Sequence, residues 1–154
     1  MKKTNAMRIL DQAKINYDVL TYEFSDGMID GIAVAGKINR SNDEVFKTLV
    51  AQGSQSFYVF IIPVHHELDL KKAATAASEK KIQLIPVKDL TKLTGYVRGG
   101  CSPVGMKKHY ASFVDESARL LTSMIVSAGL KGLQMELAPE DLIRIAQATF
   151  VSLV

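Results

Sequence analysis

The spacing of apolar residues along the chain predicts a helix near each end and further helices between them. In residues 4–14 the apolar side chains recur at helical spacing, and Thr4 is suited to cap the first turn. Pro139 stands where a final helix would begin, since proline favours the first helical turn. The other helical patterns cover residues 29–38 and 68–80, with a single helical turn at 88–93.

Strand patterns fill the segments between these helices. Residues 57–64 form the longest apolar run, which is typical of a strand buried on both faces. In the preceding strand, residues 45–51, alternation places Lys47 on the same face as three apolar residues. Residues 124–128 and 133–137 flank the segment Gly-Leu-Lys-Gly, which has the length and composition of a hairpin turn. The remaining predicted strands are 17–24, 82–87 and 111–114.

These elements predict one mixed α/β (α+β) domain over residues 1–154, with a curved, mostly antiparallel sheet surrounded by helices. The chain is long enough to bury a stable core, and its contents of 47% apolar and 23% charged residues are ordinary for a globular protein. The one cysteine cannot form an internal disulfide, so we expect a reducing, cytoplasmic location. The longest apolar run is far short of the roughly 20 residues of a membrane-spanning helix.

The charge pattern is mildly basic, with a net charge of +3 and lysine doublets at 2–3, 71–72, 80–81 and 107–108. Such a surface would attract a polyanion without holding it tightly. Lysines on an ordinary solvated surface are the alternative explanation. The sequence has neither a recognisable helix-turn-helix nor a basic amphipathic helix, so we expect no DNA or membrane partner.

The segment GYVRGGCSPVGMKK, residues 95–108, contains four of the ten glycines and the cysteine. Gly100 and Gly105 have the spacing of a P-loop, but Met106 replaces its lysine and no Ser or Thr follows, which argues against nucleotide hydrolysis. Gly99 and Gly100 can adopt positive φ and direct neighbouring N–H groups into one concavity. That concavity would bind a carboxylate, a phosphate or an oxyanion. A purely structural turn is the alternative.

Three other features carry possible chemistry. Cys101 would need a base beside it to act as a nucleophile, and no histidine is fixed there; a small buried hydrophobe is the alternative. His65-His66-Glu67 lacks the zinc-protease spacing, so we expect no metal. Lys47 has the strongest local case, because partial burial would lower its pKa or pair it with an anion. The alternative for Lys47 is a structural role, in which the aliphatic part of the side chain lies along apolar surface and the ammonium group remains in water.

Taken in order, these segments resemble the YbaK/ProX family of trans-editing aminoacyl-tRNA deacylases, in particular the YbaK/EbsC-type Cys-tRNA(Pro) deacylases. The resemblance extends over nearly the whole chain. It is carried by TYE at 21–23, VFKTL at 45–49, LDLKK at 68–72, TGYVRGGCSPVGMKK at 94–108, VSAG at 126–129 and GLQMEL at 132–137.

The resemblance implies the editing-domain fold and a role for each motif. The essential lysine of the family falls on Lys47, and the backbone N–H groups of Gly99 and Gly100 face the substrate ester. The substrate-binding residues that it implies are Tyr22, Ser127, Gln134 and Pro103. At Gln134 the chain departs from the family, which usually has an aspartate there. Either this residue does not touch the substrate, or the preferred amino acid has changed.

The mechanism that the resemblance implies is substrate-assisted and needs no cofactor. The cysteine thiol of the mischarged tRNA attacks its own ester carbonyl, and the amino acid leaves as a cyclic thioester. The implied partners are the 3′ end of aminoacyl-tRNA and prolyl-tRNA synthetase. Two alternatives stay open: a module of the same fold that binds tRNA or the synthetase without turnover, and a thiol-redox protein built on Cys101.

Overall fold

The computed structural model describes residues 2–154, in which five α-helices and eight strands follow one another. None of these helices is long and apolar enough to cross a membrane. The helices are α1 (Asn5–Gln12), α2 (Gly31–Lys37), α3 (Leu70–Ala77), α4 (Leu90–Thr94) and α5 (Pro139–Ala146). The strands are β1 (Asp18–Thr21), β2 (Phe46–Gln52), β3 (Phe57–Pro63), β4 (Gln83–Leu84), β5 (Ala111–Asp115), β6 (Met124–Ser127), β7 (Leu133–Leu137) and β8 (Ala148–Val151). Single 3-10 turns cover Val87–Asp89 and Glu116–Leu120.

The strands form two sheets, where the sequence pattern had indicated one. Strands β1, β7 and β6 make an antiparallel sheet in that order. The second sheet has the order β4-β2-β3-β5-β8, antiparallel between β4, β2 and β3 and parallel from β3 to β8. The sheets meet where the N–H of Ile125 donates to the carbonyl of Glu44 at 2.9 Å. The predicted mixed, mostly antiparallel α/β architecture is therefore confirmed. The structure differs in dividing the strands between two sheets.

Most of the predicted elements are present with shorter bounds. Thr4 caps α1, since its hydroxyl accepts a hydrogen bond from the N–H of Met7 at 3.2 Å. The segment after Ser41 continues as a strand, as predicted. The sequence analysis missed β8 and the 3-10 turn at Glu116–Leu120. Only Gln147, in the left-handed region at φ 52°, separates β8 from α5, so no glycine or proline marks that boundary.

The core is divided by the five-stranded sheet. On one side, α1 and α5 pack with both sheets around Met7, Phe46, Met124 and Leu142. On the other side, α3 packs on Phe60 and Ile62. Ile61, which lies between them in the strand, points to the first side instead, because side chains alternate along a strand. A smaller cluster joins α2 to the two sheets through Ala35, Val45 and Ile125. Strand β3 is therefore buried on both faces, as its continuous apolar run predicted.

Candidate functional site

A cavity of about 460 Å³ lies between the two sheets, α2 and the glycine loop. One wall is β2 from Phe46 to Leu49, and another is formed by the ends of β1, β6 and β7. Strand β4 pairs only with Ala51 and Gln52, so β2 is the edge of its sheet at residues 46–49. Side chains from both faces of β2 can therefore reach the cavity.

Five of the seven predicted site residues line this cavity. They come from five separate segments, and they are Tyr22, Lys47, Gly99, Ser127 and Gln134. Two of them are direct cross-strand neighbours, because Ser127 of β6 pairs with Gln134 of β7. Strand pairing, the packing of the two sheets and the position of the glycine loop bring these residues together, which is why local spacing could not assemble the group.

The other two predicted residues lie outside the cavity lining. The N–H of Gly100 donates to the carbonyl of Val97 at 2.9 Å, so it is used within the loop. Pro103 lines a separate cavity of about 190 Å³, together with Tyr110 and Ala146. The structure therefore separates Gly100 and Pro103 from the group formed by the other five.

Lys47 is a partly buried cation on the cavity wall. It pairs with Ile62 across β2 and β3, and it makes no hydrogen bond or ion pair with any residue in 2–154. Loss of solvation lowers its pKa from 10.5, and the negative charge of Glu67 opposes that shift. The side chain is thus a cation without a close counter-charge, which suits it to an electron-rich ligand.

Two residues that line the cavity have a buried hydroxyl group with no hydrogen-bond partner among the described residues. They are Tyr22 and Thr48, whose hydroxyl oxygens lie behind the cavity surface. A buried hydroxyl left unpaired is unfavourable by about 1–3 kcal/mol, and such groups in a folded protein call for a functional explanation. Thr48 was missed by the sequence analysis, because alternation placed it on the opposite face of β2 from Lys47. Only the strand pairing shows that Thr48 lies at the edge of its sheet, where it can line the cavity.

The glycine loop closes one end of the cavity. Gly99 has φ 85°, a conformation that favours glycine, and a Cβ there would lie 2.7 Å from Cδ1 of Ile29, so the end of that side chain would have to move. Gly100 does not share the positive φ. Within residues 2–154, the N–H groups of Gly99 and Cys101 donate no hydrogen bond, whereas that of Gly100 does. The candidate anion-binding N–H groups are therefore those of Gly99 and Cys101.

Cys101 lines the cavity as a protonated thiol. Burial raises its pKa to about 11, and a hydrogen bond with Thr94 only partly offsets this. A redox or nucleophilic cysteine requires a lowered pKa. His109, the histidine nearest in sequence, lines the separate cavity beside Pro103. The geometry therefore argues against the thiol-redox alternative.

The cavity wall holds one carboxylate. Asp30 caps α2 by accepting a hydrogen bond from the N–H of Ala33 at 3.0 Å. Gln134 is 6% exposed, and its side-chain amide makes no hydrogen bond within residues 2–154. Its position on the cavity wall favours the interpretation in which this residue meets a ligand.

In the described part of the chain, His, Cys, Asp and Glu side chains form no group of three or more that could hold a metal ion.

An ion-pair cluster braces the two walls against each other. Arg40 donates to both carboxylate oxygens of Glu136, at 2.9 and 2.6 Å, and to Glu44 at 2.6 Å. Ser123 donates a further hydrogen bond to Glu136 at 2.5 Å. The hydrogen bonds from Arg40, aided by its charge, lower the pKa of Glu136. Because Glu44 precedes β2 and Glu136 lies on β7, the cluster fixes the strand of Lys47 relative to the strand of Gln134.

Known proteins match the chain over most of its length. The family model for the aminoacyl-tRNA editing domain matches residues 30–145. A protein of Enterococcus faecalis, provisionally named Cys-tRNA(Pro)/Cys-tRNA(Cys) deacylase EbsC, is 40% identical over 153 residues, covering 99% of this chain and 93% of that protein. A proline–tRNA ligase of Staphylococcus haemolyticus is 27% identical over 99 residues, which cover 64% of this chain and 17% of the ligase.

A solved structure shares the fold. It is the crystal structure of a provisional trans-editing enzyme for prolyl-tRNA synthetase, with a TM-score of 0.84 and 20% identity, covering 99% of this chain and 98% of that one. This match shows the fold alone, and it confirms the editing-domain fold that the resemblance implied. The family match and the 40% identical relative confirm the family as well. The protein therefore belongs to the aminoacyl-tRNA editing domain family, whose members hydrolyse aminoacyl-tRNA.

Proposed function

We propose that this protein removes cysteine from mischarged proline tRNA, with the aminoacyl ester bound in the cavity between the two sheets. The observation that carries the proposal is the convergence of Lys47, Gly99, Tyr22, Ser127 and Gln134 on one cavity in a member of an editing family. The name of the Enterococcus faecalis relative supports cysteinyl-tRNA as the substrate.

The reaction proceeds by attack of the substrate thiol on its own ester. The thiol sulfur bonds to the carbonyl carbon, whose oxygen becomes an oxyanion. Collapse of this intermediate breaks the bond to the ribose oxygen, which takes up the proton released by the thiol. The products are tRNA with a free terminal hydroxyl and a cyclic thioester, which water then opens to cysteine. No general base of the protein is required, in keeping with a cavity whose cysteine is protonated and whose wall contains no histidine.

The backbone N–H groups of Gly99 and Cys101 stabilise the oxyanion. Both residues line the cavity, and neither N–H is used by another residue in 2–154. A donor of this kind contributes about 3 kcal/mol to transition-state stabilisation in other enzymes. The proposal therefore moves one of the two donors from Gly100 to Cys101, because the N–H of Gly100 is engaged with Val97.

Lys47 holds the electron-rich end of the ester, either the carbonyl or the terminal ribose-phosphate region. Its charge acts in a partly buried site, where electrostatic attraction is stronger than in water. Tyr22 and Thr48 shape the cavity wall beside it.

Gln134 accepts a hydrogen bond from the substrate ammonium through its neutral amide oxygen. The usual aspartate of the family would hold that ammonium by charge, so discrimination here depends more on the shape of the cavity. Single-turnover deacylation of proline tRNA charged with cysteine, alanine or proline tests this. Rapid loss of cysteine alone supports the proposal, whereas rapid loss of alanine or proline instead contradicts the assignment of cysteine.

The neutral Gln134 also favours a second candidate function, a module of the same fold that binds tRNA or prolyl-tRNA synthetase without turnover. The similarity to part of a proline–tRNA ligase is compatible with such a partner. The same assay separates the two candidates, because a binding module would leave all three aminoacyl groups on the tRNA at the uncatalysed rate.

A further inference from the structure

The loops around the mouth of the cavity carry exposed apolar side chains. Three loops meet there: residues 22–30 between β1 and α2, the glycine loop, and the turn between β6 and β7. Nine large apolar side chains are exposed in residues 2–154, and five of them lie on these loops or at the start of α2. The five are Phe24, Met28, Ile32, Val97 and Leu130. Exposed apolar clusters of this kind mark binding surfaces.

Close approaches at two glycines show that the β6–β7 turn touches both of the other loops. A Cβ at Gly132 would lie 2.9 Å from Cδ1 of Phe24, so the phenylalanine ring rests on the β6–β7 turn. A Cβ at Gly100 would lie 3.1 Å from the backbone of Leu130 and Lys131, so the glycine loop rests on the same turn. Phe24 nevertheless remains 45% exposed. Its ring is thus positioned by the turn and open to solvent beside the cavity.

The loop that carries Phe24 is held in place by Lys37. The ammonium group of Lys37 donates to the carbonyls of Glu23 at 2.6 Å and Met28 at 3.0 Å, and it pairs with Asp26 at 2.8 Å. These bonds tie both ends of the loop to α2. The aromatic surface is therefore organised before any ligand arrives, which reduces the entropy lost on binding.

Two exposed cations lie on the loops at this mouth. Arg98 and Lys131 are exposed and form no ion pair within residues 2–154. Of the acidic groups nearby, Asp26 pairs with Lys37, whereas Glu23 and Asp30 accept hydrogen bonds from backbone N–H groups, which leave a carboxylate its charge. Arg98 and Lys131 are therefore the cations at this mouth that remain open to an anionic partner.

We infer that Phe24, Arg98 and Lys131 form a platform for the unpaired 3′ end of an RNA. The ring of Phe24 stacks on one base, and the two cations contact flanking phosphates, which is the combination that recognises single-stranded nucleic acid. The inference rests on the proposed function, which puts the ester at the end of such a strand into the adjacent cavity. An apolar protein partner would leave the two cations without a counterpart, so RNA is the occupant that the charges favour.

Binding of uncharged RNA tests the platform separately from catalysis. The probes are a labelled acceptor-stem hairpin of proline tRNA with its unpaired 3′ end and the same hairpin trimmed flush with the duplex. We expect Phe24→Ala to weaken binding of the first RNA about tenfold and to leave the trimmed RNA unchanged. Phe24→Tyr should restore binding. Leu120→Ala, which removes a side chain that is 89% exposed on another surface, is the matched control and should have no effect.

Salt dependence tests the two cations. Arg98→Gln and Lys131→Gln should each lower the slope of log Kd against log salt by about one. Lys81→Gln, at a cation outside the platform, should leave the slope unchanged. Unchanged slopes in both platform variants would overturn the phosphate contacts.

The platform is overturned if Phe24→Ala binds both RNAs as the wild type does, or loses affinity equally for both. It is also overturned if Phe24→Ala abolishes binding of purified prolyl-tRNA synthetase while RNA binding is intact. The two proposals fail separately. A protein without deacylase activity that still binds RNA through Phe24 would end the proposed function alone, whereas an active deacylase with Phe24-independent RNA binding would end the platform alone.

Discussion

Lys47 shows how burial of one residue sets the pH range of the site. Its pKa lies below 10.5, because burial disfavours the charged form. If the charged form is the active one, deacylation should decline as the pH rises through this lowered pKa. The decline would begin at a lower pH than for a solvated lysine.

A pH profile of kcat/KM, corrected for spontaneous ester hydrolysis, measures this alkaline decline. Lys47→Arg keeps the positive charge to far higher pH. We therefore expect the decline to move out of the measured range in that variant, if it retains activity. An alkaline decline that is identical in the two proteins would show that another group is responsible for it.

Cys101 is predicted to be dispensable for catalysis in spite of its place in the cavity. Its thiol stays protonated at neutral pH, since burial raises its pKa to about 11. Only its backbone N–H has a proposed role, and that group survives substitution. Cys101→Ala should therefore keep its single-turnover rate within about threefold of the wild type, a difference below 1 kcal/mol. A loss of a hundredfold or more would assign a role to the thiol itself.

The residues of the site differ in how well sequence alone could identify them. Lys47 stood out because it interrupts an apolar face, a local signal. Tyr22, Ser127 and Gln134 have no such signal, and only the family resemblance selected them. Thr48 and Arg98 were missed, since their access to the cavity depends on strand pairing and loop position. Gly100 and Pro103 were predicted because they belong to the glycine loop. Residues of this loop lie at different places, since Gly99 and Cys101 line the main cavity and Pro103 lines the smaller one.

At the scale of elements, the glycine loop depends on the conformation of Gly99. Gly99→Ala should lower deacylation, because the added Cβ would meet Cδ1 of Ile29, so that either this cavity-lining side chain or the proposed oxyanion donors must shift. Gly27→Ala is a matched control: Gly27 also has positive φ, at 77°, but a Cβ there meets nothing within 4 Å. Both variants carry a backbone strain of about 1–2 kcal/mol. Equal activities of the two variants, measured at equal folded fraction, would show that the loop geometry does not matter.

The brace formed by Arg40 links elements that sequence reasoning could not pair. Arg40→Met should lower the free energy of unfolding by about 2 kcal/mol, because it leaves the partly buried carboxylate of Glu136 without its cation. Arg144→Met removes an exposed pair with Asp141 and should cost about 0.5 kcal/mol or less. Urea denaturation measures both changes. Equal losses in the two variants would show that the brace adds nothing beyond a surface pair.

The same brace makes a pH prediction whose sign follows from Glu136. The folded-state pKa of Glu136 is lowered by Arg40, so its contribution to stability is present above the ordinary value of 4.5. That contribution is lost as the pH falls below 4.5 towards the folded-state pKa. The stability difference between wild type and Arg40→Met should therefore shrink in acid.

At the scale of the whole molecule, periodicity identified the helices and seven of the eight strands, and the mixed architecture followed from their order. Periodicity did not separate the two sheets, because alternation within a strand records which face is buried and not which strand lies beside it. It also missed β8, whose four residues follow α5 without a glycine or proline. The cavity lies between the two sheets, so its wall could not be predicted before the sheets were known.

The claim at the centre of this account is that the cavity around Lys47 cleaves the aminoacyl ester. Its most direct test is single-turnover deacylation of cysteinyl-tRNA(Pro) by Lys47→Ala, compared with Lys81→Ala, a substitution of an exposed lysine outside the cavity. Circular dichroism and urea denaturation confirm that both variants are folded. We predict a loss of at least a hundredfold in Lys47→Ala and a wild-type rate in Lys81→Ala, since an electrostatic contact to a transition state is worth about 3 kcal/mol. A folded Lys47→Ala variant that deacylates at the wild-type rate would contradict the account.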